Sequence, residues 1–378
     1  MTKLTWKIRH FTTDWNDITS KVLSVSVNFG REKYLDAYSG GRAILTINNA
    51  ADYASQITYG QQIEVISGVP GQQFYMTYWV QEVVYNDYPG NTGLNTATIT
   101  AVDWMSRAGR IYANNLVLSS GGTIYQARLF ENTGGGPLPS DMIIYNYGLG
   151  DSIASATTYS GSVNNYYNLL NTTERGIFVQ RVNTLYFQPR SYIGSLVASP
   201  YTIGRTTSTT QIAYQEFQRI QNGTQFINTA TIQPSGLTEQ TSVNTTSRST
   251  YGAASYSSAT VDYTTTQAQG NGDWITNTFS NPSALRFQCS FLDVAQNSTA
   301  LDGWMADVWL PSENIVDLSY TAPGGSSTTV RCVIEGGNIN ITPDSTQFTL
   351  SFSPLSYYQF FTLNSATLGI LDTSRLGW

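Results

Sequence analysis

The sequence predicts a mainly β protein, on three observations. Apolar residues alternate with polar ones over short runs along most of the chain, the pattern of strands with one buried face. Aromatics make up 13% of the 378 residues, with 25 Tyr, and charged residues only 12%, about half the usual share. Tyr, Phe and Thr suit a pleated, half-buried surface. Turn residues sit between the runs, as at Gly40-Gly41, Pro89-Gly90 and Pro343-Asp344, where they end one strand and start the next. A chain of this length holds two or three domains.

Residues 1–112 read as one unit. Trp15 to Thr19 leads into an alternating strand from Val22 to Gly30, and Gly40-Gly41 marks a bend before Ala43, Leu45 and Ile47 alternate with Ile44, Thr46 and Asn48. Tyr59 to Gly68 carries Ile63 and Val65 against Glu64, and Phe74 to Gly90 reads as a long or bent strand stopped by Pro89-Gly90. Asn95 to Arg107 alternates again and runs into a short helical end. Strands at this spacing with Gly turns predict a small antiparallel barrel.

Residues 113–190 are less periodic, with a helix expected to end near Glu174-Arg175-Gly176. A hairpin follows, Ile177 to Arg181 and Leu185 to Pro189, turning at Asn183-Thr184. The Ser/Thr-rich stretch near Thr206 to Thr210 reads as a loop, and strands return from Tyr214. Ala268, Trp274, Ile275 and Phe279 have helical spacing, closed by Asn281-Pro282. Strands are then expected at Ala284 to Val294, Glu313 to Pro323, Thr328 to Ile341 and Phe348 to Leu355.

Composition and motifs exclude most chemistry. The net charge is −6, and the 19 basic residues form no run, so a gripping surface for nucleic acid is not expected. A single His, His10, and two cysteines, Cys289 and Cys332, do not supply a zinc set, and no cofactor or metal is expected. The cysteines read as small buried hydrophobes, with a bond between them left open. Nothing nears the roughly 18 apolar residues of a membrane span, and the amino end lacks a signal-peptide core. Candidate acids for a glycan-cutting pair are Asp36, Asp87, Asp103, Asp302, Asp307 and Glu335. No local signature brings two together, so each reads as a turn or cap acid. A triad would need His10, and no nucleophile elbow or phosphate loop is present. No catalytic residue is assigned, and the chain is not expected to be an enzyme.

The run Val333 to Pro343, VIEGGNINITP, and the ending LDTSRLGW resemble the carboxyl end of phage tail-hub minor tail proteins. The amino-terminal unit resembles the same family at Asp17-Ile18-Thr19, Gly30-Arg31, Gly41 to Asn49, Gly60 with Ile63 and Val65, Asp87-Tyr88-Pro89 and Ala97 to Asp103. Further along, Gly176, Phe178, Val179, Leu185 and Phe187 fit its hairpin, with Asn183-Thr184 where the family carries Asp-Gly. Arg248-Ser249 and Tyr251-Gly252 match its corner, and Asn314, Val316 and Leu318 fit a late strand more loosely. Order and spacing together carry the likeness.

The resemblance implies two related antiparallel β-barrels, an inserted α+β domain and a short C-terminal tail. On this chain it places the first barrel at 1–112, the second at 212–262 plus 310–355, the insertion at 113–211 plus 263–309, and the tail at 356–378. It further implies a homotrimer whose six barrels form a ring in the tail tip or baseplate of a virion, assembled in the host cytoplasm. The ring would join the tail tube or distal tail protein to a tip or fibre protein, and DNA would pass through it without specific binding. A receptor- or carbohydrate-binding tail protein and a hexameric distal tail protein are the rival readings. Candidate assembly contacts are Tyr357, Tyr358, Phe360, Phe361, Leu376 and Trp378, because aromatics this dense beside a terminal tail exceed what one barrel core takes.

Overall fold

The computed structural model describes residues 6–358 except 39, 70–71, 119–120, 123–126, 132–135, 147–151, 154–156, 197–199, 222, 294–296, 309–314 and 323. The chain opens with β1 (Trp6–Phe11), β2 (Trp15–Asp17), β3 (Val22–Gly30), β4 (Arg42–Asn48), β5 (Gln62–Val69), β6 (Gln72–Asn86) and β7 (Thr96–Val102), then a short helix, Trp104–Ala108. The middle holds β8 (Tyr112–Leu118), β9 (Gly121–Gly122), β10 (Ile143–Asn146), β11 (Ser152–Ile153), β12 (Thr157–Ser162), the helix Val163–Glu174, β13 (Ile177–Arg181), β14 (Thr184–Gln188) and the helix Arg190–Ser195. There follow β15 (Thr202–Gly204), β16 (Gln211–Ala213), β17 (Glu216–Gln221), β18 (Thr229–Pro234), β19 (Gln240–Val243), the helix Thr245–Tyr251, β20 (Ser255–Thr260) and the helix Thr265–Phe279. The last strands are β21 (Leu285–Leu292), β22 (Ile315–Thr321), β23 (Ser327–Ile341) and β24 (Thr346–Pro354), with the helix Ser298–Val308 between the first two.

Local chemistry explains where these elements start and stop. In β4, Ala43, Leu45 and Ile47 are buried while Arg42 and Asn48 stay exposed, so the alternation read in the sequence fixes the face. The helix Val163–Glu174 starts where the Ser162 side chain accepts from Asn165 N and stops at Arg175 in a left-handed conformation. Thr264 and Gln267 form a reciprocal capping box at the start of Thr265–Phe279. The hairpin β13–β14 turns through Val182, which has φ 55°.

Fourteen strands share one sheet, in the order β16-β15-β22-β23-β3-β4-β7-β6-β5-β1-β2, with β24, β21 and β17 branching from β23. The branch arises because β23 is long enough for three partners. Its first half pairs with β22 through Ile315↔Val333, and its second half pairs with β3 through Gly336↔Gly30 to Ile341↔Val25. β24 takes the opposite edge.

Two five-strand units in this sheet have the same order. One runs β5-β6-β7-β4-β3 and the other β22-β23-β24-β21-β17, every pairing antiparallel. The registers also coincide. β6 pairs Val80↔Ala101, skips Gln81 and resumes at Glu82↔Thr100, while β23 pairs Ile334↔Phe352, skips Glu335 and resumes at Gly336↔Ser351. Ala101 faces Ala43 as Phe352 faces Phe287, and Ala43 faces Val27 as Phe287 faces Arg219. The inward side chains of both units, among them Val25, Leu45, Ile99, Cys289, Phe348 and Leu350, form one apolar core.

A second core holds the remaining pieces. The three-stranded sheets β10-β14-β13 and β19-β18-β20 lie with the helices Val163–Glu174 and Thr265–Phe279 around Tyr34, Trp104, Tyr167, Trp274 and Phe279. This division departs from the boundaries expected from sequence. Residues 229–260, expected in the second barrel, form the separate sheet β18–β20, and β21, expected in the insertion, lies inside the large sheet between β24 and β17. Alternation marks a strand but not its partner, so those boundaries could not be read from it.

Two related antiparallel barrels were expected; among the described strands one sheet runs through both units and no closed barrel forms. β23 fuses the two units, and the first does not close on itself. Between β1 and β3 the backbone N–H of Ile8 donates to the Thr19 hydroxyl. A groove of about 320 Å³, lined by Trp6, Ile8, Val22, Val25 and Ile341, occupies the gap.

The junction of the two units depends on a glycine. Gly30 has φ +74°, and a Cβ there would lie 2.2 Å from the Glu335 carbonyl oxygen. Gly30→Ala therefore adds the left-handed penalty to a backbone clash and should cost at least about 2 kcal/mol. Denaturant unfolding measures the loss, which should be smaller for Gly90→Ala, where φ is +83° but nothing lies within 4 Å and only the left-handed penalty remains.

Candidate functional site

Two features stand out once the sheet is assembled: the buried polar knot where the units join, and the outward face of the continuous sheet. The knot begins at Glu335, the residue skipped by the register shift in β23. A bulge re-aims its side chain. Glu335 Oε2 accepts from Arg31 Nε at 2.7 Å, with the two side chains 2% and 0% exposed. The backbone closes the same corner, since Arg31 N donates to Glu335 O at 2.9 Å.

The other polar groups of the pair are also engaged. The Tyr358 hydroxyl donates to Glu335 Oε1 at 2.7 Å and accepts from Arg31 Nη2 at 3.2 Å. The same Nη2 donates to Gly176 O at 3.2 Å. With its amide oxygen turned towards Arg31, Asn171 accepts from Nη1 at 3.2 Å and donates to Gly176 O at 2.9 Å. The guanidinium also lies over the rings of Tyr34 and Tyr38, 4.9 and 5.0 Å from their centroids. Burial is the largest influence and works against the Arg31 charge, but Glu335 together with Tyr38, Tyr358 and Tyr34 outweighs it and raises the Arg31 pKa well above the ordinary value. This cluster ties β3, β23, the helix Val163–Glu174, the β13 hairpin and the turn at Tyr358 to one another.

A second buried acid lies close by. Asp103 caps the helix Trp104–Ala108, accepting from Ser106 N at 2.8 Å and from Gly41 N. It shares with Glu335 the lining of a cavity of about 50 Å³. Burial pushes its pKa from 3.8 to about 6, against the backbone N–H groups that favour the charged form.

The outward face is built by register alone. Across β21, β24, β23 and β3 one row reads Ser290, Thr349, Asn338 and Asn28, each opposite the next. The adjoining row runs Gln347, Asn340, Ser26, Ile44 and Thr100. Thr46 and Thr98 continue the pattern, and the Asn338 amide donates to the Ser26 hydroxyl at 3.2 Å. Hydroxyl and amide side chains thus dominate a face that spans both units. Charges stand towards its borders, at Glu82, Arg42 and Glu216.

The residues singled out in the sequence are scattered over other places. Tyr357 and Tyr358, expected to face another subunit, are buried within their own chain. Tyr357 packs 5.2 Å from Phe279 and Tyr358 4.7 Å from Tyr34, measured between ring centroids. The cause is the loop after β3, whose Tyr34 lies in the second core and receives both rings. Phe360, Phe361, Leu376 and Trp378 lie outside the described residues. Of the candidate acids, Asp36 and Asp87 are exposed, Asp103 caps a helix, and Glu335 is consumed by Arg31. Asp302 is exposed on the helix Ser298–Val308, and the side chain of Asp307 is outside the described set. Both cysteines are buried and unbonded.

Trp79, Trp104 and Trp304 are fully buried, and Trp6 and Trp274 nearly so, which leaves them unavailable as stacking platforms for sugars. No group of His, Cys, Asp and Glu among the described residues could hold a metal ion. No described helix is long and apolar enough to cross a membrane. What sequence reasoning missed is the Arg31–Glu335 pair. Gly30-Arg31 and the Glu335-Gly336-Gly337 run were its only visible signals.

No protein-family model and no curated protein matches the chain by sequence. Solved structures do match in fold. A 43 kDa tail protein of prophage MuSo2 from Shewanella oneidensis aligns with TM-score 0.60 and 12% identity over 94% of this chain and 98% of that one. A tail protein from Neisseria meningitidis MC58 aligns with TM-score 0.64 and 10% identity, covering 93% and 96%. An Escherichia coli type VI secretion component, described as similar to the T4 phage tail proteins gp27 and gp5, aligns with TM-score 0.50 and 9% identity over 88% and 73%. The chain has the fold of phage tail proteins.

Two expectations follow from the buried groups. Glu335→Leu alone leaves the Arg31 charge buried and should cost about 3–5 kcal/mol, whereas Arg31→Met combined with Glu335→Leu should recover much of that loss. Denaturant midpoints of the two variants check it. Asp103 binds its proton more tightly folded than unfolded, so its contribution to stability is complete below pH 3.8 and is lost as pH rises through about 6. Relative to Asp103→Asn, the wild type should therefore lose about 2 kcal/mol between pH 4 and 7, read as a pH-dependent difference in unfolding free energy.

Proposed function

We propose that the chain is a structural protein of a phage tail hub, at the tip or baseplate. Three copies form a ring, and because each copy supplies two five-strand units, the ring presents six similar units. One side of such a ring matches a six-fold tail tube or distal tail ring, and the other matches a three-fold tip or fibre. The observation that carries this reading is the shared strand order, register and bulge of the two units in one sheet. A chain that repeats one architecture within itself can meet six-fold neighbours while obeying three-fold symmetry.

The hydroxyl and amide face gives the ring its inner wall. DNA phosphates bind where Lys and Arg cluster, and this face carries Ser, Thr, Asn and Gln instead. Such a surface neither grips a passing polyanion nor strongly repels it. The role is geometric and not catalytic: of the candidate acids Asp103 caps a helix, Glu335 is held in an ion pair, and Asp36, Asp87 and Asp302 stand exposed.

Native mass spectrometry of the purified chain tests the stoichiometry. A mass three times the 41.5 kDa of one chain is expected, and a ring of six chains would contradict the reading. Incubation with host peptidoglycan or capsule should release no reducing sugar. Release abolished by Asp36→Asn or Asp302→Asn would overturn the non-enzymatic assignment.

A further inference from the structure

Within the chain the two units meet edge to edge, where β3 lies along the second half of β23. The repeat makes β6 the counterpart of β23 and β17 the counterpart of β3. β6 pairs with β5 only up to Trp79↔Gln62, so its edge beyond the bulge, from Glu82 to Asn86, has no strand on that side among the described residues. β17 pairs with β21 alone among the described strands, so no described strand lies along its outer edge either. These are the two edges that the β23–β3 junction fills inside the chain.

The geometry points to a head-to-tail contact between copies, in which the β6 edge from Glu82 to Asn86 pairs antiparallel with β17 of a second copy, in the register of β23 on β3. The contact rests on the assembly reading in that it requires more than one copy. The register follows from the equivalences. Val84 stands where Asn338 stands, and Ile220 where Asn28 stands, and Asn338 pairs with Asn28. Val84 therefore faces Ile220 of the next copy, Tyr85 faces Arg219, and Asn86 faces Gln218.

The side chains agree with this pairing. Val84 and Tyr85 are each 45% exposed. Val84 and Ile220 are apolar at positions of the outward face where their counterparts are both Asn, so one partner answers the other. Tyr85, whose hydroxyl donates to Ala54 O, and Arg219, whose guanidinium lies over the Tyr320 ring, take the places of Ile339 and Val27, which pair within the chain, and a Tyr opposite an Arg offers a cation–π contact. Open apolar edges are aggregation hazards unless a partner covers them. The two edges are complementary and not self-complementary, so the contact propagates in one direction and closes into a ring.

Cysteine pairs test the register. Opposed antiparallel residues have Cα separations of about 4.5–5.5 Å, within disulfide range, and the native Cys289 and Cys332 are buried. The full-length chain carrying Val84→Cys with Ile220→Cys, or Asn86→Cys with Gln218→Cys, should cross-link between copies on mild oxidation. Each pair should give at least tenfold more product than the slipped pair Asn86→Cys with Ile220→Cys, and products should stop at three chains. Two pairs guard against one that fails to fold. Equal cross-linking of slipped and matched pairs would overturn the register. Assembly to the native three-chain mass without cross-links in either matched pair would overturn the edge contact while leaving the hub reading standing. Matched cross-links that extend past three chains would support the edge contact and sink the three-chain ring.

Discussion

The Arg31–Glu335 pair is the constraint on which the arrangement of this protein depends. An ion pair with both side chains almost wholly buried is costly to desolvate, and it persists only where other groups satisfy the remaining donors and acceptors. Here Tyr358, Gly176 and Asn171 do so, and they come from segments far apart in sequence. The pair thus works less as a source of stability than as a lock with one key. It holds the bulge at Glu335, the bulge sets how β23 passes from β22 to β3, and that passage fixes how one unit sits against the other. The same corner anchors the second core, because Tyr34 and Tyr358 belong to both the polar knot and the aromatic cluster.

The two units keep one scaffold with different fillings. Ala43, Ala97 and Ala101 in the first stand where Phe287, Phe348 and Phe352 stand in the second. Hydrogen-bond register and bulge position survive this change because they are set by backbone pairing, while side-chain volume is free to vary if the core stays filled. The outward face varies less in character: Thr98 and Thr100 correspond to Thr349 and Ser351, and Thr46 to Ser290. Small hydroxyl residues recur there in both units. A surface of uniform, nearly neutral chemistry is thereby laid across two pieces of chain whose cores differ.

Much of this was legible in the sequence, and the remainder fails for an identifiable reason. Alternation at Ala43, Leu45 and Ile47, or at Phe348, Leu350 and Phe352, gives the strands and their buried faces directly. The helix ending at Glu174 and the hairpin after it were equally plain. Partner choice was not. Nothing local in Phe217 says that it lies opposite Cys289, or in Asn28 that it lies opposite Asn338, because a strand of period two fits any edge of matching polarity. The partners of segment 229–260 could not be read for that reason, and antiparallel barrels were expected where one sheet runs on. Tyr357 and Tyr358 looked surplus to a barrel core because the ring that receives them, Tyr34, lies some three hundred residues earlier. Glu335 read as an ordinary strand acid because its meaning comes from the bulge, which only pairing reveals.

The central claim is that one chain carries two equivalent units that tile a ring. An electron cryomicroscopy map of the assembled protein, resolved well enough to trace strands, tests it most directly. The account predicts six five-strand units around one axis, each with the bulge at the same height, alternating in identity between the first and second unit of three chains, with Ser, Thr, Asn and Gln facing the lumen. A map in which the two units lie at different radii, or in which the hydroxyl and amide face is turned outward, would contradict it.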